Sequence, residues 1–198
     1  MFPHRLAILS ALIGAALFVA PAYAQTATGT GATASGPNST ATGEYAQASG
    51  PNSTATGAYA IATGNGAIAN GIQANASGDN AQAYGTNAQA SGQNSMAIGQ
   101  TANAAAERTV AIGTLSFAGA EDAVAVGQQS VATGVKSVAQ GVQAQASGDL
   151  SMSFGYLSRS RGNASIAQGN QAQANGNHAV AIGSSTVADA FLSLALGV

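Results

Sequence analysis

Ala34 to Gly43 reads ASGPNSTATG, and Ala48 to Gly57, fourteen residues on, reads ASGPNSTATG again. Outward from this duplicated stretch, glycine falls at every seventh position from Gly29 to Gly197 except at Ala106, Ala120 and Ala190, and the register never slips. Two residues before each of these positions stands Ala, replaced only by Ser153 and Ser160. Four before stands Ala, Ser or Thr, Gln25 apart. A coiled coil also repeats every seven residues, but it needs large apolar a and d positions, and recurrent glycine would weaken each helix by about 1 kcal/mol per residue. Small residues alternating with variable ones are instead the period-two pattern of a short strand. Each glycine then ends a strand, where a tight turn calls for positive φ. Strand and turn in tandem make an all-β solenoid.

The variable positions, three and one before each glycine slot, double the period to fourteen. In one set they are Met96/Ile98, Val110/Ile112, Val124/Val126, Val138/Gln140, Met152/Phe154, Ile166/Gln168, Val180/Ile182 and Leu194/Leu196. In the interleaved set they include Gln89/Ser91, Gln145/Ser147, Arg159/Arg161 and Gln173/Asn175. Each coil therefore has two unlike strands. Side chains alternate faces along a strand, so the small residues face the interior and the variable ones face out. An interior of methyl groups buries little, at about 0.8 kcal/mol per CH₂-sized group. The outward row Met96, Ile98, Val110, Ile112, Val124, Val126, Val138, Met152, Phe154, Ile166, Val180, Ile182, Leu194 and Leu196 would leave a lone chain with a large exposed apolar face, which calls for a partner chain. Gln89, Gln145, Arg159, Arg161 and Gln173 fall on the solvent-facing strands and are the candidate ligand contacts. At the amino-terminal end the matching positions hold Thr26/Thr28, Thr40/Thr42 and Thr54/Thr56. Threonine suits a strand but not an interface core, and both fraying and hydroxyl packing remain open for these coils.

Composition restricts the chemistry. Of 198 residues, 6% are charged, with 5 Lys+Arg, 7 Asp+Glu, 2 His, no Cys and a formal net charge of −2. No basic patch is present to neutralise phosphates, so nucleic acid is not expected as a partner. His4 and Arg5, the apolar run Leu6 to Ala20 and Ala22-Tyr23-Ala24 follow the order of a secretory signal, with cleavage expected after Ala24. The apolar run is shorter than the roughly 20 residues a membrane span requires, and no transmembrane segment is expected in the mature chain. His178 is then the one remaining histidine, and it reads as a turn residue rather than a catalytic base. No enzyme activity, cofactor or metal is expected. Calcium-binding rolls place Asp in every turn, whereas Asp79, Asp122, Asp149 and Asp189 are scattered. Glu107-Arg108 and Glu121-Asp122 read as solvated turn charges with a local ion pair. The Thr-Ala-Thr array at 26–28, 40–42 and 54–56 suggests an ice- or crystal-surface binder as the alternative to adhesion.

Ser95-Met96-Ala97-Ile98-Gly99, Thr109-Val110-Ala111-Ile112-Gly113, Ala123-Val124-Ala125-Val126-Gly127 and Ala179-Val180-Ala181-Ile182-Gly183 resemble the SVAIG-type repeat of YadA-like trimeric autotransporter adhesin heads, also called Hep/Hag repeats, and Asn94 completes the longer NSVAIG form. The resemblance covers nearly all of the mature chain. It implies a left-handed parallel β-roll, a homotrimer, and display at the cell surface, in the outer membrane or outside the cell. It further implies attachment of a Gram-negative cell to other surfaces or to a host extracellular-matrix protein such as collagen. Such adhesins usually continue into a neck, a coiled-coil stalk and a membrane-anchoring β-barrel. These residues read as head repeats alone. The expected organisation is a signal peptide at 1–24, then head repeats at 25–198, with degenerate Thr-rich coils over 25–78 and regular coils over 79–198.

Overall fold

The computed structural model describes residues 24–197, which are strand and turn throughout, without helix among the described residues. The export signal expected over 1–24 lies, but for its last residue, outside the described residues. Each fourteen-residue coil supplies a strand of three residues and a strand of two. The series begins with β1 (Thr26–Thr28) and β2 (Thr33–Ala34) and closes with β24 (Val187–Ala188) and β25 (Leu194–Leu196). The longer strands form a 13-stranded parallel sheet and the shorter ones a 12-stranded parallel sheet, each strand bonded to its counterpart one coil away. The parallel β-solenoid of fourteen-residue coils read from the repeat is thus the observed architecture. Pairing holds that register: Thr26 lies beside Thr40, Met96 beside Val110, and Gln89 beside Asn103. The Thr-rich coils follow it too, with Thr40 beside Thr54, although β1 at the end is exposed along its length.

The small residues close the interior between the two sheets. Ala97, Ala111 and Ala125 of the longer strands and Ala90, Ala104 and Ala118 of the shorter ones are fully buried, and Thr109 is the largest fully buried side chain among the described residues. Nothing larger fits, because the sheets are separated only by methyl and hydroxymethyl groups. Cohesion therefore rests heavily on backbone bonds, each contributing about 1 kcal/mol net. Even the turns are stitched together: Tyr45 N donates to Thr30 O at 2.8 Å, and Asn52 N to Pro37 O at 2.7 Å.

The turns differ from the expectation that every slot glycine has positive φ. That holds for alternate slots, as at Gly43 (φ 129) and Gly127 (φ 133), but the interleaved glycines such as Gly36 and Gly148 are not in the left-handed region. Glycine is needed there for a different reason. A Cβ on Gly148 would overlap the carbonyl oxygen of Gly162 in the next coil. Ala106, Ala120 and Ala190 all belong to this second set, where φ permits a side chain. Positive φ also recurs two residues after each slot, on side chains as unlike as Tyr45, Lys136, Leu150 and His178. There the turn is closed by the N–H three residues after the slot donating to the slot carbonyl, as Ala46 N does to Gly43 O at 3.3 Å.

Candidate functional site: the two outward faces

No cavity opens on the described surface, and the described residues hold no cluster of three or more metal-ligating side chains. Whatever the molecule contacts must meet its outer faces. Because strands pair at a fixed interval of fourteen, each outward position becomes a straight column of side chains about 4.8 Å apart.

On the 13-stranded sheet the apolar residues anticipated from the sequence fall into two such columns. Met96, Val110, Val124, Val138, Met152, Ile166, Val180 and Leu194 succeed one another in pairing register. Beside them run Ile98, Ile112, Val126, Phe154, Ile182 and Leu196, interrupted by Gln140 and Gln168. From Met96 to Val180 the apolar members are half-buried, because each covers the flanks of its neighbours, and at the last coil Leu194 and Leu196 are 65% and 69% exposed. Their outer sides have no partner within the chain. Thr26, Thr40 and Thr54, with Thr28, Thr42 and Thr56 beside them, continue the same columns at the amino-terminal end.

The 12-stranded sheet differs. Gln145 pairs with Arg159 of β20 (Arg159–Ser160), and Arg159 pairs with Gln173, so three of the anticipated ligand contacts stand side by side. Arg161 joins them two residues along the same strand direction. Gln89 does not, since Asn103, Phe117 and Val131 separate it from Gln145 in the same column. Arg161 Nη1 donates to Asn175 Oδ1 at 2.6 Å, and Asn175 Nδ2 donates to Asp189 Oδ1 at 2.6 Å. Asn175 was not singled out from the sequence, although its place one coil beyond Arg161 marks it. Tyr45 and Tyr59, also unremarked in the sequence, stack on a turn edge with ring centroids 5.2 Å apart.

The turn charges assemble as an ion cluster. Arg108 Nε donates to Asp122 Oδ1 at 2.6 Å, Nη2 donates to Asp122 Oδ2 at 3.1 Å, and the guanidinium also meets Glu107 and Glu121. The Arg108 hydrogen bond holds the Asp122 carboxyl below its ordinary range, with a smaller contribution from Lys136, while the same bond raises the Arg108 guanidinium above its own. His178 sits in a turn, edge-on to Phe191 at 5.7 Å.

The family model described as a YadA head domain repeat (2 copies) matches residues 27–46, 34–60, 41–67, 62–88, 90–116, 118–139, 132–158 and 160–186. No curated protein matches the chain.

Proposed function

Since the chain belongs to the YadA head-domain family, whose heads are homotrimeric, adhesin-type, non-enzymatic and exposed at the cell surface, we propose that it is an exported adhesin head. Three chains pack their 13-stranded sheets together and offer the 12-stranded sheets and turns to a host-matrix protein such as collagen, or to another surface. One observation carries this reading: the two sheets of a single roll present unlike outward columns, apolar from Met96 through Val110 and Val124 to Leu194 on one, and the polar run Gln145, Arg159 and Gln173 on the other. Burying apolar columns in an assembly contributes about 25 cal/mol per Å² removed from water. The polar face then lies outside, repeated in each chain, so individually weak contacts add through effective concentration. The segment 1–24 directs export and is then removed by cleavage after Ala24.

A second reading draws on the in-register threonine array, Thr26 beside Thr40 beside Thr54, whose regular spacing suits an ice or crystal lattice. The array lies on the sheet assigned here to the partner chains, which favours adhesion. Thermal hysteresis would support the second reading. The primary test is light scattering of residues 25–198 joined to solid-phase binding on collagen, fibronectin and laminin. A trimer that adheres is the expected result, and a stable folded monomer overturns the assembly.

A further inference from the structure

The described residues carry four cations, Arg108, Lys136, Arg159 and Arg161. Arg108 is ion-paired with Glu107, Glu121 and Asp122, and Lys136 stands alone in a turn with no second cation beside it. Arg159 and Arg161 are placed differently. Arg159 opens β20, and Arg161 lies one residue past its end, where Arg161 N still donates to Ala174 O of the next coil. The two thus stand two residues apart on one face, about 6.6 Å from each other along the chain. Arg159 is half-buried between Gln145 and Gln173, and its Nε is buried without a hydrogen-bond partner. Arg161 is exposed and bonded to the neutral amide of Asn175, so Asp189 is reached only one coil further on. Among the described residues, neither guanidinium forms an ion pair. On a chain of net charge −2, this is a local excess of positive charge, flanked by amides and set on a flat sheet.

We propose that Gln145, Arg159, Arg161 and Gln173 bind an acidic polysaccharide, one carrying sulfate or carboxylate groups. The inference rests on the adhesive reading and names a ligand class for its polar face. Guanidinium forks match the oxygens of sulfate and carboxylate in two-point geometry and are more weakly hydrated than ammonium groups. The flanking amides both donate and accept, which suits sugar hydroxyls. With no cavity on the described surface, a small anion is not enclosed. A linear polymer lying across the sheet instead meets polar groups at about 4.8 Å between coils and about 6.6 Å along a strand. An acidic polypeptide would leave its apolar side chains without a pocket here. Arg161 is exposed and Gln145, Arg159 and Gln173 are half-buried on an open sheet, so each contact stays in reach of water and is weak. A polymer that meets several copies compensates through effective concentration.

The test measures binding of residues 25–198 to immobilised dextran sulfate, polygalacturonate, polyglutamate and neutral dextran. Retention on at least one acidic polysaccharide and not on neutral dextran is expected, weakening with added salt. Replacing both arginines (Arg159→Gln with Arg161→Gln) lowers affinity by about tenfold or more, while Lys136→Gln changes it by less than about twofold. Equal binding by the double variant, no preference over neutral dextran, or stronger retention on polyglutamate overturns the proposal. Should the double variant melt early, Arg159→Lys with Arg161→Lys keeps the charge and removes the fork. About a threefold loss is then expected, and an unchanged affinity overturns it. A trimer that adheres to collagen, fibronectin or laminin yet ignores both acidic polysaccharides sinks this inference alone, whereas a monomer that adheres to nothing sinks the adhesive reading.

Discussion

The hydroxyls of Ser153 and Ser158 meet at 2.7 Å inside the roll, where the neighbouring coils bury alanine methyls. Ser158 Oγ donates onward to Gly155 O at 3.0 Å, which leaves Ser153 as the donor between them. Ser160 Oγ of the same coil donates to Met152 O and accepts from Ala167 N of the next coil at 3.0 Å, tying the shorter-strand sheet to the longer-strand one. The neighbouring Ser137, Ser151 and Ser165 hydroxyls are buried with no partner in the chain. A buried hydroxyl without a partner is unfavourable, whereas a bonded one contributes about 1 kcal/mol. Ser151→Ala is therefore expected to stabilise the fold by about 1 kcal/mol, and Ser158→Ala to destabilise it by a similar amount. Thermal melts of the two variants with opposite signs bear this out, and equal shifts in one direction contradict it.

The two glycine sets predict unequal tolerance. Gly127 has φ 133, a region open essentially to glycine alone, so Gly127→Ala adds backbone strain to the contact with the next coil. A loss of about 3 kcal/mol or more is expected. At Gly148 φ permits a side chain and only the contacts with the Gly162 and Arg161 carbonyls of the next coil oppose a methyl, and the chain already places Ala106, Ala120 and Ala190 at equivalent slots. Gly148→Ala is expected to cost about 1 to 2 kcal/mol. Denaturant unfolding of the pair measures the difference, and a larger loss at Gly148 would show that the contact, not φ, governs both.

Much of this was legible because a solenoid converts sequence distance directly into spatial distance. Positions fourteen apart are neighbours, so the alanine interior, the two unlike sheets and the columns from Met96 to Leu194 could all be read from spacing. The positive φ at Tyr45, Lys136 and His178 could not. It is imposed by turns bonded to the coils on either side rather than by residue preference, and those side chains share no feature that betrays it. Gln89 was grouped with Gln145 by residue type, but column position separates them by three intervening residues. Asn175 went unnoticed because its importance lies in linking Arg161 to Asp189, each one coil away.

The apolar columns predict an asymmetric response to charge. Ile112 lies between Ile98 and Val126 on the face proposed to pack in the trimer, so Ile112→Asp places a carboxylate among apolar side chains at that proposed interface. Loss of the trimer or of the cooperative melt is expected, with a stability cost of about 3 kcal/mol or more. Gln89→Asp on the other sheet, at an exposed position, should leave mass and melting unchanged to within about 0.5 kcal/mol. Light scattering and calorimetry of both variants decide the matter, and an Ile112→Asp protein of unaltered mass and melting would remove the assignment of that face.

Acid should loosen the turn edge at Arg108. The hydrogen bond from Arg108 favours the ionised form of Asp122, holding its folded-state pKa below the unfolded one. A carboxyl depressed in this way contributes stability that is fully present above the unfolded value of about 4 and is lost as pH falls through the lower folded value. Arg108 is exposed and Asp122 half-buried at the surface, so the contribution is screened and should shrink with added salt. The wild-type chain should therefore melt above Asp122→Asn at neutral pH, with the gap closing as pH drops below about 4. Melting temperatures of the two proteins between neutral pH and about pH 3 provide the measurement. A gap that stays constant with pH would mean that the Asp122 ion pair does not stabilise the folded chain.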